Sequence, residues 1–151
     1  MWVVISSFDS DFFQLINNNV SVLRCRGTKT TICDKAYIQS KFGFLPEKYV
    51  DFKSLVGDGS DNIKGVEKVG VKIATALINQ FGNLQNVISG VDGIGKQSIR
   101  ESVKRSIKQL KMNYDLIKLK SNSTLRFEIN DLGYTSGEFT TIEILRKIGT
   151  Y

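Results

Sequence analysis

Val3-Val4-Ile5-Ser6, at the head of this 151-residue chain, constrains its fold more than any other segment. The run is apolar and β-branched without alternation, the pattern of a parallel strand buried on both faces. Such a strand needs neighbours and long crossover connections. The only other strand signals in the first 34 residues are Val20–Arg24 and Thr28–Ile32, alternating around Gly27, which read as one β-hairpin. The expected sheet is therefore cut, with apolar residues such as Trp2, Val4 and Phe8 left exposed. Met1–Ile5 has no basic flank and runs straight into Ser6-Ser7-Phe8-Asp9, so it reads as strand and not as signal peptide.

The rest of the chain reads as mostly helical. Asp11–Ile16 carries apolar residues at helical spacing and stops at Asn17-Asn18-Asn19. Asp34 is the expected N-cap of a helix through about Phe42, ended by Gly43. Pro46 fits the first turn of a helix through about Val56. Val71–Phe81 puts Ile73, Ala74, Leu77, Ile78 and Phe81 on one stripe before Gly82. Gln97 to about Lys120 puts Ile99, Val103, Ile107, Leu110, Tyr114 and Ile117 on one face, as one long helix or one broken once. Leu125–Ile129 reads as a strand and Thr140–Ile148 as a closing helix.

Composition narrows the chemistry. With 41% hydrophobic and 24% charged residues, the chain lies in the range of globular domains. No apolar run reaches the roughly 18 residues of a membrane span. There is no histidine, which removes serine-histidine and cysteine-histidine catalysis and the usual imidazole base. Hydrolysis here would rest on carboxylates and a metal ion. Cys25 and Cys33 make a poor zinc site and fit reduced packing residues, with a hairpin disulfide as the alternative. The expected location is cytoplasmic. Between Lys96 and Lys120 eight bases (Lys96, Arg100, Lys104, Arg105, Lys108, Lys111, Lys118, Lys120) face two acids, Glu101 and Asp115. That excess of 8 − 2 = +6 equals the net charge of the whole chain. It fits either a polyanion partner or a solvated helix face.

Three constellations carry candidate chemistry. Asp9 and Asp11 follow the first strand at its C-terminal end, where α/β folds place ligands; a turn and a helix N-cap explain them as well. Asp58 and Asp61, in Gly57-Asp58-Gly59-Ser60-Asp61-Asn62-Ile63, can point at one cation from a tight loop. Oxygen ligands suit Mg²⁺ or Mn²⁺, and Asx-turn chemistry is the alternative. In Lys64-Gly65-Val66-Glu67-Lys68-Val69-Gly70-Val71-Lys72, Gly65 and Gly70 bracket a short hairpin before a helix. Glycines permit close approach to a phosphate, and Lys68 and Lys72 would neutralise it; an ordinary helix-turn-helix is the alternative.

In this order and spacing the three resemble the 5′-nuclease superfamily: flap endonucleases, bacteriophage 5′–3′ exonucleases and the nuclease domain of bacterial DNA polymerase I. The first family pattern, strand then Ser/Thr-X-Asp-X-Asp-hydrophobic-X-Gln-Leu, is similar to Ser7 through Leu15. The second, Gly-Asp-X-X-Asp-Asn-Ile-X-Gly-Val-X-X-hydrophobic-Gly-X-Lys, is matched in full by Gly57 through Lys72. Lys64, where the family often has proline, resembles the phage members. The resemblance implies a partial parallel-sheet nuclease core (PIN-like, α/β) over residues 1–34. A helical DNA-binding region would follow over 35–151, with a helix-hairpin-helix (helix-three-turn-helix) at 63–82. It implies a two-metal phosphodiesterase acting on DNA with a 5′ flap or 5′ end, holding two Mg²⁺ or Mn²⁺ ions in the complete enzyme. Asp9, Asp11, Asp58 and Asp61 match metal-binding aspartates. Gly65, Lys68, Gly70 and Lys72 match the DNA grip, to which Lys96, Arg100 and Lys104 of the basic run are added. The carbonyls of Val66, Val69 and Val71 match a potassium site.

The family's other carboxylates, its phosphate-acting lysine and arginine and its threading arch lie upstream of the matched segment. The chain is therefore expected to be a C-terminal fragment, a split-gene product or a truncated reading frame, completed by a separately encoded N-terminal half. A non-catalytic module binding duplex or branched DNA is the alternative function, and a degraded frame that folds poorly is the third.

Overall fold

The computed structural model describes residues 1–120 together with 123, 124, 126, 128, 131 and 133. The expected strand at Leu125–Ile129 and helix at Thr140–Ile148 lie outside the described residues. Residues Met1–Leu119 form one compact unit and Lys120–Tyr151 a second. The first is mixed α/β, mostly helical with two small sheets.

Strand β1 (Val3–Ser6) pairs parallel with β2 (Val20–Arg26), which pairs antiparallel with β3 (Lys29–Cys33). The hairpin turns at Gly27, whose φ of +60° suits glycine. Cys25 lies opposite Thr30 and Cys33 opposite Val22, so the two thiols are free and the disulfide alternative falls. The expected burial of β1 on both faces is not found. Among the described residues β1 is an edge strand, with Val4 60% and Trp2 81% exposed, because no further strand covers its outer side. The exposure expected of Trp2, Val4 and Phe8 is found.

Between β1 and β2 the chain makes a 3₁₀ helix, Ser10–Leu15, where an α-helix is expected from the spacing. Its six residues give Phe13 a buried position at 1% exposure. The Phe13 ring meets Tyr37, Phe42 and Tyr49 at centroid distances of 6.1, 6.4 and 5.4 Å. Each such pair adds about 0.5–1.5 kcal/mol to the burial itself.

Helix α1 (Lys35–Phe42) starts on Asp34, whose Oδ1 accepts from Tyr37 N–H at 2.8 Å, and stops at left-handed Gly43. A 3₁₀ turn, Pro46–Lys48, leads into α2 (Tyr49–Val56). The two-residue strands β4 (Gly57–Asp58) and β5 (Ile63–Lys64) form a miniature antiparallel hairpin. Then come α3 (Val71–Phe81), α4 (Leu84–Ser89), α5 (Gln97–Arg105) and α6 (Ile107–Ile117). The long helix expected over 97–120 is thus broken once. The break falls at Ser106, whose N–H is shared between the carbonyls of Ser102 and Val103. Its expected inner face survives, with Ile99, Val103, Leu110 and Ile117 all buried.

One core serves the unit, joining Phe13, Ile16, Val22 and Cys33 to Phe52, Leu55, Ile78, Val87 and Leu110. The core therefore draws on both sides of residue 34. No described helix is long and apolar enough to cross a membrane.

Candidate metal centre and nucleic-acid interface

Carboxylate oxygens of Asp11, Asp58 and Asp61 lie within 4.8 Å of one another. Each arrives for a local reason. The 3₁₀ helix carries Asp11 in its first turn and is anchored from below by Phe13. Gln14 ties the same turn to the end of α6: its Nε2 donates to Ile117 O at 3.1 Å, and its Oε1 accepts from Leu119 N–H at 2.9 Å. Asp58 sits on β4, and Asp61 in the loop before β5.

Asp9 is not in the cluster. Its Oδ1 accepts from Asp11 N–H at 2.9 Å and caps the 3₁₀ helix, which is the turn-and-cap role its sequence also fits. Its charge still acts on Asp11.

The loop between β4 and β5 is tightly determined. Asp58 Oδ1 accepts from Ser60 N–H at 2.9 Å and Ser60 Oγ at 2.5 Å, an Asx turn that also aims the carboxylate. Gly57 has φ of +83°, and a Cβ there would lie 2.3 Å from Gly65 N. At Gly65 a Cβ would lie 2.0 Å from Val56 O. The two glycines let the hairpin fold flat against the end of α2.

Lys53 is the residue that sequence reasoning missed. Its ammonium donates to Asp58 Oδ2, with the two side chains 11% and 8% exposed. Lys53 lies on α2, five residues before Asp58, and reads in the sequence as an ordinary helix-surface lysine. Only the sharp turn at Gly57 brings the pair together. Gln109 and Asn113 of α6 were missed too. Gln109 Nε2 donates to Lys64 O at 2.6 Å. Asn113 Nδ2 donates to Ser54 O at 3.0 Å and to Lys64 O at 2.8 Å. Helix α6 is thus a strut that holds the Asp11 turn at one end and the Asp58–Asp61 hairpin along its side.

The electrostatics of the carboxylates diverge. Burial pushes the Asp11 carboxyl up; Lys53 offsets part of this, while Asp9, Asp58 and Asp61 push it further. Burial would also raise Asp58, but hydrogen bonds from Lys53 and Ser60 outweigh it and hold that carboxyl below its ordinary value. Nearby Tyr49, desolvated in the aromatic cluster, is pushed up to about 12 and stays a neutral phenol. Asp11 Oδ1 is buried and has no hydrogen-bond partner among the described residues. A buried carboxylate oxygen left bare is costly unless something cationic meets it. With three oxygen donors converging on it, the site fits a hard divalent cation.

The expected DNA-contacting residues are spread over two regions. Lys68 and Lys72 flank the start of α3. Lys68 has φ of +66° and lies 3.7 Å from Glu67. Gly65 is packed, whereas a Cβ on Gly70 would meet nothing within 4 Å. Val66 and Val69 are buried, and Val69 N–H donates to Val66 O at 3.0 Å; Val71 is exposed at the head of α3. Lys96 precedes α5. Arg100 donates to Asp92 O at 3.2 Å, and Lys104 pairs with Asp92 at 2.6 Å. That last pair is on the surface and contributes little.

A family model described as 5′-3′ exonuclease, C-terminal SAM fold, matches residues 44–140. The thermostable DNA polymerase I of Thermus filiformis is 36% identical over 132 residues, covering 87% of this chain and 16% of that protein. The 5′-3′ exonuclease of Buchnera aphidicola subsp. Acyrthosiphon pisum is 33% identical over 137 residues, covering 86% of this chain and 47% of that protein. Among solved structures, a T5 5′-exonuclease superposes with a TM-score of 0.69 at 27% identity, covering 77% of this chain and 47% of that one. A bacteriophage T5 flap endonuclease in a pseudo-enzyme-product complex with DNA and metal ions gives 0.70 at 26%, covering 77% and 42%. The chain spans less than half the length of each of these relatives. Matched over most of its length by the family model, the chain belongs to the 5′-3′ exonuclease family, through that family's C-terminal SAM-fold region.

Proposed function

We propose that this chain is the C-terminal part of a Mg²⁺- or Mn²⁺-dependent 5′–3′ exonuclease and 5′-flap endonuclease that hydrolyses phosphodiester bonds in DNA. One observation carries the reading: Asp11, Asp58 and Asp61 converge within 4.8 Å while a buried Asp11 oxygen has no partner among the described residues. Asp11, Asp58 and Asp61 would hold the cation, with Asp9 as the neighbouring fourth carboxylate. Two such ions, when bound, would supply activation of a water and stabilisation of the leaving oxygen. The chain's own residues set the stage. Lys53 and Ser60 fix the Asp58 carboxylate, Gln14 fixes the turn bearing Asp11, and α6 keeps the two in register.

Residues 63–82 are the proposed helix-hairpin-helix that grips duplex DNA through its backbone phosphates. Gly70 supports this. Its φ of −87° demands no glycine and its Cβ position is open, so the small residue leaves room for a group outside the fold. Lys68 and Lys72 would neutralise phosphates there, and Lys96, Arg100 and Lys104 would extend the contact. The carbonyls of Val66, Val69 and Val71 are assigned to a potassium ion. In this division residues 1–34 contribute to the nuclease core and 35–151 bind DNA. A separately encoded N-terminal half would add strands to the open edge of β1 and supply the remaining carboxylates. The exposure of Trp2, Val4 and Phe8 favours that partner. The assembly would act in the cytoplasm.

A second reading, a module that binds branched or duplex DNA without cutting it, is favoured by the small number of carboxylates gathered at the site. Cleavage of an end-labelled 5′-flap DNA in Mg²⁺, with Asp58→Ala as control, tests both. Cutting lost in the variant supports a self-sufficient site. Binding without cutting, converted to cutting by an N-terminal half, supports the split enzyme. No binding at all overturns both readings.

A further inference from the structure

Beside Asp61 a groove of about 640 Å³ runs between the β4–β5 loop and one face of α6. Its walls carry three cations, Lys64, Arg105 and Lys108, against one acid, Asp61. It also has apolar lining: Met112 and Leu116, one helical turn apart, are 56% and 63% exposed. We propose that this groove seats one DNA strand next to the carboxylate cluster, its phosphates on Arg105 and Lys108 and its sugars or bases on Met112 and Leu116. The proposal rests on the nuclease reading above and adds the path of the strand that approaches the cutting site.

Three features point to this occupant. Positive walls track the backbone of a single strand without reading sequence, and the aliphatic Met112 and Leu116 offer apolar surface to its sugars and bases in place of aromatic stacking. The volume lies in the range of small-ligand sites, about 300–1,000 Å³, which is room for a nucleotide or two. The groove is also built as part of the cluster's support. Gln109 and Asn113, both in its wall, hydrogen-bond the Lys64 carbonyl, so a strand lying on α6 is held in fixed relation to Asp61. Arg105 is only loosely held, by a long contact with Glu67 at 3.9 Å and a hydrogen bond to Ser102 Oγ at 3.4 Å, and its side chain is 63% exposed.

The test is anisotropy of fluorescein-labelled 5′-flap DNA and of the matching blunt duplex, titrated with the full chain in Ca²⁺ across a KCl series. The variants are Arg105→Ala/Lys108→Ala, Met112→Ala/Leu116→Ala and, for the α3 grip, Lys68→Ala/Lys72→Ala. All six side chains point to solvent, and circular dichroism checks that each variant stays folded. Removing Arg105 and Lys108 is expected to weaken flap binding about tenfold and to lower the salt slope by about two. Removing Met112 and Leu116 is expected to weaken flap binding about fivefold, leave the salt slope alone and spare the blunt duplex. If either groove pair binds flap DNA within twofold of the parent while the Lys68/Lys72 pair is impaired, the groove assignment is wrong and the nuclease reading survives. If the parent chain binds no DNA, both fall together.

Discussion

Asn113 offers the sharpest test of how the metal site is held. Its side chain is 2% exposed, and both amide hydrogens are used: one on Ser54 O at the end of α2, one on Lys64 O in β5. Asn113→Ala removes both bonds, each contributing about 1 kcal/mol net, and leaves a small void costing about 1 kcal/mol more. The expected loss is about 2–4 kcal/mol, or about 6–12 °C in Tm for a chain this size. Asn113→Asp should cost more, since it turns carboxylate oxygens toward two carbonyls. Gln109→Ala removes a second donor to Lys64 O from a less buried position and should cost about 1 kcal/mol. Urea unfolding measures all three, and Mn²⁺ titration of the folded variants reads the position of Asp58. An Asn113→Ala loss below about 1 kcal/mol, with Mn²⁺ affinity unchanged, would refute the strut.

Lys53→Met keeps the aliphatic stem and strands Asp58 without its cation, which should cost the metal-free chain about 3 kcal/mol. Millimolar Mn²⁺ should then raise the variant's Tm by more than the parent's, and an equal or smaller rise refutes competition between ammonium and metal. Asp51, desolvated by burial beyond what the Leu84 N–H, Lys48 and Lys118 restore, has its carboxyl raised from the ordinary 3.8. The unfolded chain therefore ionises first, and stability is lost as pH climbs through the window above 3.8. Asp51→Asn, which keeps an acceptor for Leu84 N–H, should raise the urea midpoint at pH 7, with the gain gone below about pH 4. No gain at pH 7 refutes it. Gly65→Ala should unfold the chain or cost more than about 4 kcal/mol, whereas Gly59→Ala, with open space around its Cβ, should stay within about 0.5 kcal/mol. Thermal melts separate the two, and a tolerated Gly65→Ala would sink the account of the hairpin.

Local chemistry made much of the fold legible. Asp34 and Gly43 bound α1 as capping rules require, Gly82 stops α3, and the stripe of Ala74, Leu77 and Ile78 is buried. Those features depend on residues a turn or less apart. What the sequence hid depends on chain reversal. Lys53 becomes a buried counter-ion only because Gly57 bends the backbone back on α2, and nothing in the run Val50-Asp51-Phe52-Lys53 marks it as inward-facing. Asn113 sits beside the apolar stripe, and a polar residue there is the one available hint that a buried carbonyl needed a donor. Asp9 and Asp11 were equal partners in the sequence. The 3₁₀ geometry separates them, making one a cap and leaving the other bare.

The open edge of β1 has a thermodynamic consequence. Among the described residues β1 is an edge strand, with Val4 and the adjacent Trp2 exposed, and such an edge is a template for an extended chain that reaches it. A strand of a partner and a second copy of the chain would compete for that template. Were the edge occupied in this way, mass action would set the fraction in each state, and stability measured at one concentration would not transfer to another. Dilution, which leaves an ordinary monomer untouched, would then select the species observed.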